Sequence, residues 1–172
     1  TIARKTLGFY RDSMQLLVPI RKVVADAIDV FRSRLDNLRI DARVEIEEAR
    51  HLEVPGDIAQ VLINLLGNAL DASQAGQSVR IWAGERDGAI AIDVEDEGSG
   101  IPEELRGRIF EPFFTTKNAY GTGLGLWVSK EIVEGHGGSL RVVSEAKGEH
   151  RVTCFTVVLP KSAAAVKSAS LK

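Results

Sequence analysis

One acid in this chain stands where an apolar side chain is expected. Residues 89–96 (AIAIDVED) alternate as a half-buried strand, with Ile90, Ile92 and Val94 on one face, and Asp96 falls on that same face. An unpaired carboxylate on a core-facing strand is costly, so the fold must bring Asp96 a partner or leave it room for a ligand. The run that follows, DEGSG (96–100), is a glycine-containing turn in which a ligand can approach the backbone closely. A second glycine cluster, GTGLGL (121–126), precedes an apolar helical pattern, the arrangement that presents backbone N–H groups and a positive helix end to an anion. Between them lies a connection, 101–120, too long to be an ordinary turn and of the length typical of lids and binding loops. A chain built around these features is expected to hold a ligand with a hydrogen-bond donor at one end and phosphates at the other.

The donor fits adenine, whose exocyclic amino group can give a hydrogen bond to Asp96; guanine offers a carbonyl oxygen at that position, which a carboxylate repels. The remaining chain reads as scaffold around that site. Residues 14–18 suggest a short edge strand. Pro19 suits the first turn of a helix with Ile20, Val23, Val24, Ala27, Ile28, Phe31, Leu35 and Leu38 along one face. Residues 41–54 suggest two short strands, and Pro55-Gly56-Asp57 opens a second helix reaching about residue 73. That helix buries Ile58, Val61, Leu62, Leu65, Leu66, Ala69 and Leu70, and its other face carries Gln60, Asn64, Asn68 and Asp71. Asn is a poor helix former, so two of them spaced i and i+4 point to use of their amide oxygens, which suit a hard cation such as Mg²⁺. Residues 77–83 and 89–96 form a hairpin through Asp87-Gly88, one helical turn is expected in 102–108, a helix in 124–134, and closing strands in 140–144 and 152–159. Phe110, Phe113 and Phe114 are expected to pin the long connection to the core, leaving Lys117 to fold over phosphate oxygens.

Composition excludes several alternatives. A length of 172 residues, 44% hydrophobic and 27% charged, is one ordinary globular domain. The net charge of -2 argues against a nucleic-acid or anionic-membrane surface, either of which calls for a basic excess. The single Cys154 precludes an internal disulfide and sits in a strand-like run as a small core residue. No apolar run approaches the ~20 residues of a membrane span, and Thr1 is not followed by a signal-peptide pattern. A cytoplasmic fragment is expected, from a parent that can still be membrane-anchored.

Taken together, the motifs resemble those of the catalytic and ATP-binding domain of sensor histidine kinases, in the GHKL superfamily that also holds gyrase, heat-shock chaperone and mismatch-repair ATPases. QVLINLLGNALDA (60–72) resembles the N box, DEGSGI (96–101) the first glycine box, FEPFFTTK (110–117) the F box and GTGLGL (121–126) the second glycine box, in the family's order across roughly residues 14–160. The resemblance implies a two-layer α/β sandwich, a mixed and mostly antiparallel sheet with three helices on one face. It implies ATP and Mg²⁺ as ligands. Asp96 would bind the adenine amino group, with Thr153 joining through ordered water. Asn68 would ligate Mg²⁺ with Asn64 beside it near the γ-phosphate, and Asp71, Gly98, Gly100 and Ile101 would line the nucleotide site. Lys117 and the turn of Gly121, Thr122, Gly123, Leu124, Gly125 and Leu126 would hold the phosphates, with 101–120 as the ATP lid.

Two departures from the family pattern matter. Val152 stands before Thr153 where the family often has glycine. Asn64 occupies the position at which the hydrolysing branches carry a Glu that activates water; an amide is no strong base, whereas neutral imidazole is already nucleophilic near pH 7. The expected activity is therefore transfer of the γ-phosphoryl group to a histidine on a dimerisation domain, through which the parent would form a homodimer, and onward to a response regulator receiver domain. The alternatives are a catalytically silent nucleotide-binding regulatory module and, less in keeping with Asn64, an ATP-driven clamp like gyrase. No acceptor is expected here: His51 sits in HLEVP, where the proline comes one residue early, His136 in a helix-stop turn and His150 in a hairpin connection. Residues 1–13 are expected to be the end of the upstream dimerisation helix, and 161–172 a disordered tail.

Overall fold

The computed structural model describes residues 16–47, 52–117, 121–147 and 150–161. The expectations for 1–13, for His51 and for the tail beyond 161 fall outside these residues. The described chain runs β1 (Leu17–Pro19), α1 (Ile20–Leu38), β2 (Asp41–Ile46), β3 (Glu53–Pro55), α2 (Ile58–Ala72), β4 (Ser78–Arg86), β5 (Ala89–Asp96), α3 (Glu103–Arg106), α4 (Gly125–Gly135), β6 (Ser139–Lys147) and β7 (His150–Pro160).

Five strands form one sheet in the order β2-β4-β5-β7-β6, with β2 parallel to β4 and every other neighbour antiparallel. The β4–β5 hairpin turns at Asp87 (φ 53°) and Gly88 (φ 77°), two left-handed residues in succession, the geometry that matches the natural twist of paired strands. The period of two puts Ile81, Ile92, Val94, Phe155, Val157 and Leu140 on one sheet face, all buried. Helices α1, α2 and α4 cover that face, so the architecture is the expected mixed two-layer sandwich. Helix α2 is its centre: Ile58, Val61, Leu62, Leu65 and Leu66 are fully buried, and truncating one such leucine to alanine would cost about 2–5 kcal/mol.

The two short strands expected in 41–54 exist but do different things. β2 joins the main sheet, whereas β3 pairs with β1 in a separate antiparallel ribbon, Leu17 opposite Pro55 and Pro19 opposite Glu53. Of the strand expected at 14–18, residues 14 and 15 lie outside the described residues; β1 runs from Leu17 to Pro19, and Pro19 is its last residue and the N-cap of α1 rather than part of the helix's first turn. A proline ending a strand withholds only a ladder donor at the margin, and its φ of -54° leads directly into the helix. Asp57 precedes α2 without a side-chain cap, because its carboxylate faces His136 instead: His136 Nε2 lies 2.8 and 2.9 Å from the two oxygens, tying the stop of α4 to the start of α2.

Candidate functional site

A cavity of about 750 Å³ opens between α2, the end of β5, β7 and the connections on either side of α3, within the size range of small-molecule sites. Its lining includes Asn68, Asp71, Asp96, Gly100, Ile101, Lys117, Gly121, Thr122, Gly123, Gly125, Leu126 and Thr153. Asp96 and Asn68, placed 28 positions apart in sequence, thus face one space.

At one end, Asp96 is 3% exposed. Its Oδ1 accepts the Gly98 N–H at 2.9 Å, and its second oxygen has no hydrogen-bond partner among the described residues. Burial pushes the carboxyl up to about 6, against the lowering effect of the Gly98 amide and with a further push from Glu95. Across the sheet, Asp96 pairs in register with Thr153 and Thr153 with Ser144, so the apolar face terminates in a polar row. Gly98 itself does not line the cavity. A Cβ there would lie 2.3 Å from the Ala72 carbonyl oxygen, and the Ser99 N–H donates to that same oxygen at 3.2 Å; glycine lets the turn seat on the end of α2.

At the other end, the Lys117 ammonium donates to Asn68 Oδ1 at 3.0 Å and to Asp71, whose other oxygen takes Arg34 from α1. Burial would raise the Asp71 carboxyl, but hydrogen bonds from Lys117 and Arg34 outweigh it and hold the group below the usual carboxylate range. Oxygens of a neutral amide and a carboxylate converge on a cation here, a donor set of the hard kind Mg²⁺ prefers. Helix α4 starts at Gly125 with Leu124 as a cap that makes no side-chain bond; the Leu124 N–H reaches Thr122 Oγ1 at 3.4 Å, and among the described residues no side chain takes the N–H groups of the first turn beyond it. Leu124 does not line the cavity, although Gly125 and Leu126 do.

Asn64 is set apart from the cavity. Its Nδ2 donates to Gly125 O and to Ser129 Oγ, both at 3.1 Å, and its Oδ1 accepts from Gln60 Nε2 at 3.0 Å. Its Nδ2 fixes α2 to the first turn of α4, directly behind the glycine turn, while its Oδ1 is held by Gln60 within α2 itself. The phenylalanines also divide. Phe110 meets Phe155 edge-on with centroids 6.4 Å apart and Phe114 lines the cavity, but Phe113 is 74% exposed at φ 66° and pins nothing. Its N–H donates to Gly123 O at 2.9 Å, closing the connection on the glycine turn.

Three residues here were not singled out in the sequence: Arg34, which holds Asp71; Ser144, which accepts the Ile101 N–H at 3.0 Å; and Arg106, which donates to Ile101 O at 3.2 Å. Ser144 follows Leu140 and Val142 as a polar exception on an apolar face, the same pattern that marks Asp96.

A sandwich with an inward acid, an amide-bearing helix and a glycine-opened helix around one cleft defines a GHKL-type nucleotide-binding domain. Residues 53–163 match the family of histidine kinase-, DNA gyrase B- and HSP90-like ATPases. Sporulation kinase A of Bacillus subtilis is 42% identical over 145 residues, covering 83% of this chain and 23% of the relative. Among solved structures, the mycobacterial sensor histidine kinase MprB superposes with a TM-score of 0.74 at 30% identity, covering 84% of this chain and 96% of that one. The histidine kinase ThkA in complex with the response regulator protein TrrA gives 0.66 at 28% identity, covering 86% and 42%. The chain belongs to this family, as the catalytic and ATP-binding domain of a sensor histidine kinase. It spans less than a third of the length of the curated relatives it matches, from 15% to 28%. Among the described residues no helix is long and apolar enough to cross a membrane.

Proposed function

We propose that this domain binds Mg²⁺-ATP and donates the γ-phosphoryl group to a histidine on a dimerisation domain of the same parent protein, which passes it to a response regulator. The observation carrying this reading is that Asp96, Asn68, Lys117 and all of the 121–126 turn except Leu124 line one cavity. Asp96 accepts the adenine amino group with its unpartnered oxygen, and Thr153 completes recognition of the base. Gly100 and Ile101 shape the wall beside it, and Gly98 holds that turn against α2. Asn68 and Asp71 hold the cation, which neutralises phosphate charge when bound. Lys117 exchanges its bonds to them for phosphate oxygens, joined by amides of Gly121, Thr122, Gly123, Leu124, Gly125 and Leu126.

Asn64 keeps α4 and its amides in place; to donate to the γ-phosphate it would have to release Gly125 O or Ser129 Oγ, which take its amide hydrogens. With an amide at that position no strong base stands ready for water, so the acceptor supplies its own lone pair: an imidazole nitrogen forms the P–N bond as the bridging P–O bond breaks and ADP leaves. Catalysis is then positioning and charge neutralisation. That the related ThkA is found with the response regulator TrrA supports a receiver domain as the next acceptor.

The test mixes this chain with a separate histidine-bearing dimerisation domain and γ-labelled ATP. Acid-labile label on the added partner is expected; ADP binding with no label transferred would favour the silent regulatory module. Asp96→Ala should weaken ADP binding about tenfold to a hundredfold, the loss of one charge-assisted hydrogen bond.

A further inference from the structure

The polar row that ends the sheet's inner face carries more than its visible member. Asp96, Thr153 and Ser144 are cross-strand neighbours on β5, β7 and β6, and all three are buried. Ser144 Oγ accepts the Ile101 N–H at 3.0 Å and lies 2.9 Å from Thr153 Oγ1. Among the described residues these are the only hydrogen-bond partners of its hydroxyl, Arg106 bonding its carbonyl oxygen instead, and Ser144 itself does not line the cavity whereas Thr153 does.

Either hydroxyl of the Ser144–Thr153 pair can be the donor by distance, and counting hydrogens points to one direction for the row. A hydroxyl has one proton to give. The backbone of Ile101 can only donate, so Ser144 must send its own proton elsewhere, and Thr153 Oγ1 is the acceptor within reach. A proton buried at 2% exposure with no acceptor would be costly. Thr153 then has its proton free, and the cavity is where it can go. We propose that Ser144 is a specificity-determining positioning residue: anchored by Ile101, it fixes Thr153 as a hydrogen-bond donor toward the ligand. This rests on the assignment of the Asp96 end to the nucleobase.

With that polarity the site presents an acceptor, Asp96, beside a donor, Thr153, and adenine answers both with its amino group and its N1 lone pair. A water between Thr153 and the base would transmit the same sense, accepting from Thr153 and donating to N1. Hypoxanthine reverses both positions, offering O6 as an acceptor and N1–H as a donor, so it is opposed twice. Asp96 accounts for the first opposition and Ser144, through Thr153, for the second. The chain of bonds also couples the base to the lid's start, because Ile101 is where the connection leaves the glycine turn.

The experiment titrates ADP and IDP by calorimetry into the wild-type chain and Ser144→Ala, with thermal melts to establish folding. ADP affinity should fall roughly fivefold to tenfold in the variant and IDP affinity less or not at all, so that the ADP-to-IDP preference narrows by about fivefold or more. A merely structural serine would weaken both nucleotides by one factor, and that result overturns the proposal. If Ser144→Ala does not fold, Ser144→Cys keeps the shape with a weaker donor and should narrow the preference part of the way; an unchanged preference there overturns the proposal equally. Wild-type chain that binds ADP and IDP alike would sink the adenine assignment itself, whereas discrimination in the wild type that persists unaltered in the variants sinks only the role of Ser144.

Discussion

The ammonium of Lys117 lies 3.0 Å from Oδ1 of Asn68 and also bonds Asp71, so a tethered cation occupies the oxygens proposed for the metal. The segment that carries Lys117 and the proposed cation site are therefore not independent: Lys117 and a divalent ion compete for the same acceptors. Lys117→Ala should lower phosphoryl transfer about a hundredfold, the usual scale for removing one charge-stabilising group. It should also raise the affinity of the nucleotide-free domain for Mn²⁺, used as a paramagnetic probe, because two acceptors lose their internal partner. Equal Mn²⁺ affinities in the variant and the wild type would show that the lysine does not occupy the metal position.

Asp96 burdens the empty fold. Its carboxyl titrates at about 6 when folded against an ordinary 3.8, so the folded state holds the proton more tightly than the unfolded state does. Stability from this group is greatest at low pH, declines as pH rises from about 4 to 6, and above 6 the full penalty of roughly 3 kcal/mol applies. Asp96→Asn keeps an acceptor for the Gly98 N–H and removes the charge. In urea denaturation without nucleotide, the variant should exceed the wild type at pH 8 and lose that advantage toward pH 4. A variant less stable than wild type at pH 8 would contradict the claim that the site carries an uncompensated acid.

The same group ties nucleotide binding to protons. Only the ionised carboxylate accepts fully from an amino group, so ADP affinity should be flat above about pH 7 and fall up to tenfold for each pH step below 6. Calorimetry near pH 6 in buffers of different ionisation enthalpy should register proton release on binding. Proton uptake, or none, would mean that the base does not meet an ionised Asp96.

How much of this was legible beforehand depends on whether the controlling interaction is local. Asp96 was visible because a charge on an apolar face has no cheap explanation, and α2 because its apolar stripe is long and regular. Ser144 gives the same kind of exception after Leu140 and Val142, but a serine is inexpensive to bury, so the pattern alone does not single it out; its importance comes from register across β5, β7 and β6, which no local period encodes. Arg34 pairs with Asp71 across two helices 37 positions apart, a match set by how α1 crosses α2. Short strands were expected near both β1 and β3, but their pairing with each other as a separate ribbon is set by how the chain returns past α1, which neither strand's own pattern encodes. Phe113 and Phe114 were read together, yet neighbouring side chains in a non-helical segment point apart, and only Phe114 faces the cavity. Asn64 was read by residue type and spacing with Asn68, although a helix turn separates them and α4 claims the first.

His136 supplies the last test, because it distinguishes a structural imidazole from an acceptor. Its Nε2 sits between both oxygens of Asp57, with side-chain exposures of 19% and 14%, and it joins the end of α4 to the start of α2. Replacing it with alanine leaves a half-buried carboxylate without its partner, so denaturant unfolding should show a loss of about 1–3 kcal/mol. Because α4 also carries the glycine turn's amides at its far end, ADP affinity should change by less than the stability does: the helix remains held there by Asn64. Labelled phosphate should still reach a supplied dimerisation domain at saturating ATP, and none should be found on this chain in either form. Acid-labile label on the wild-type chain that disappears in His136→Ala would place the acceptor here and remove the need for a second domain.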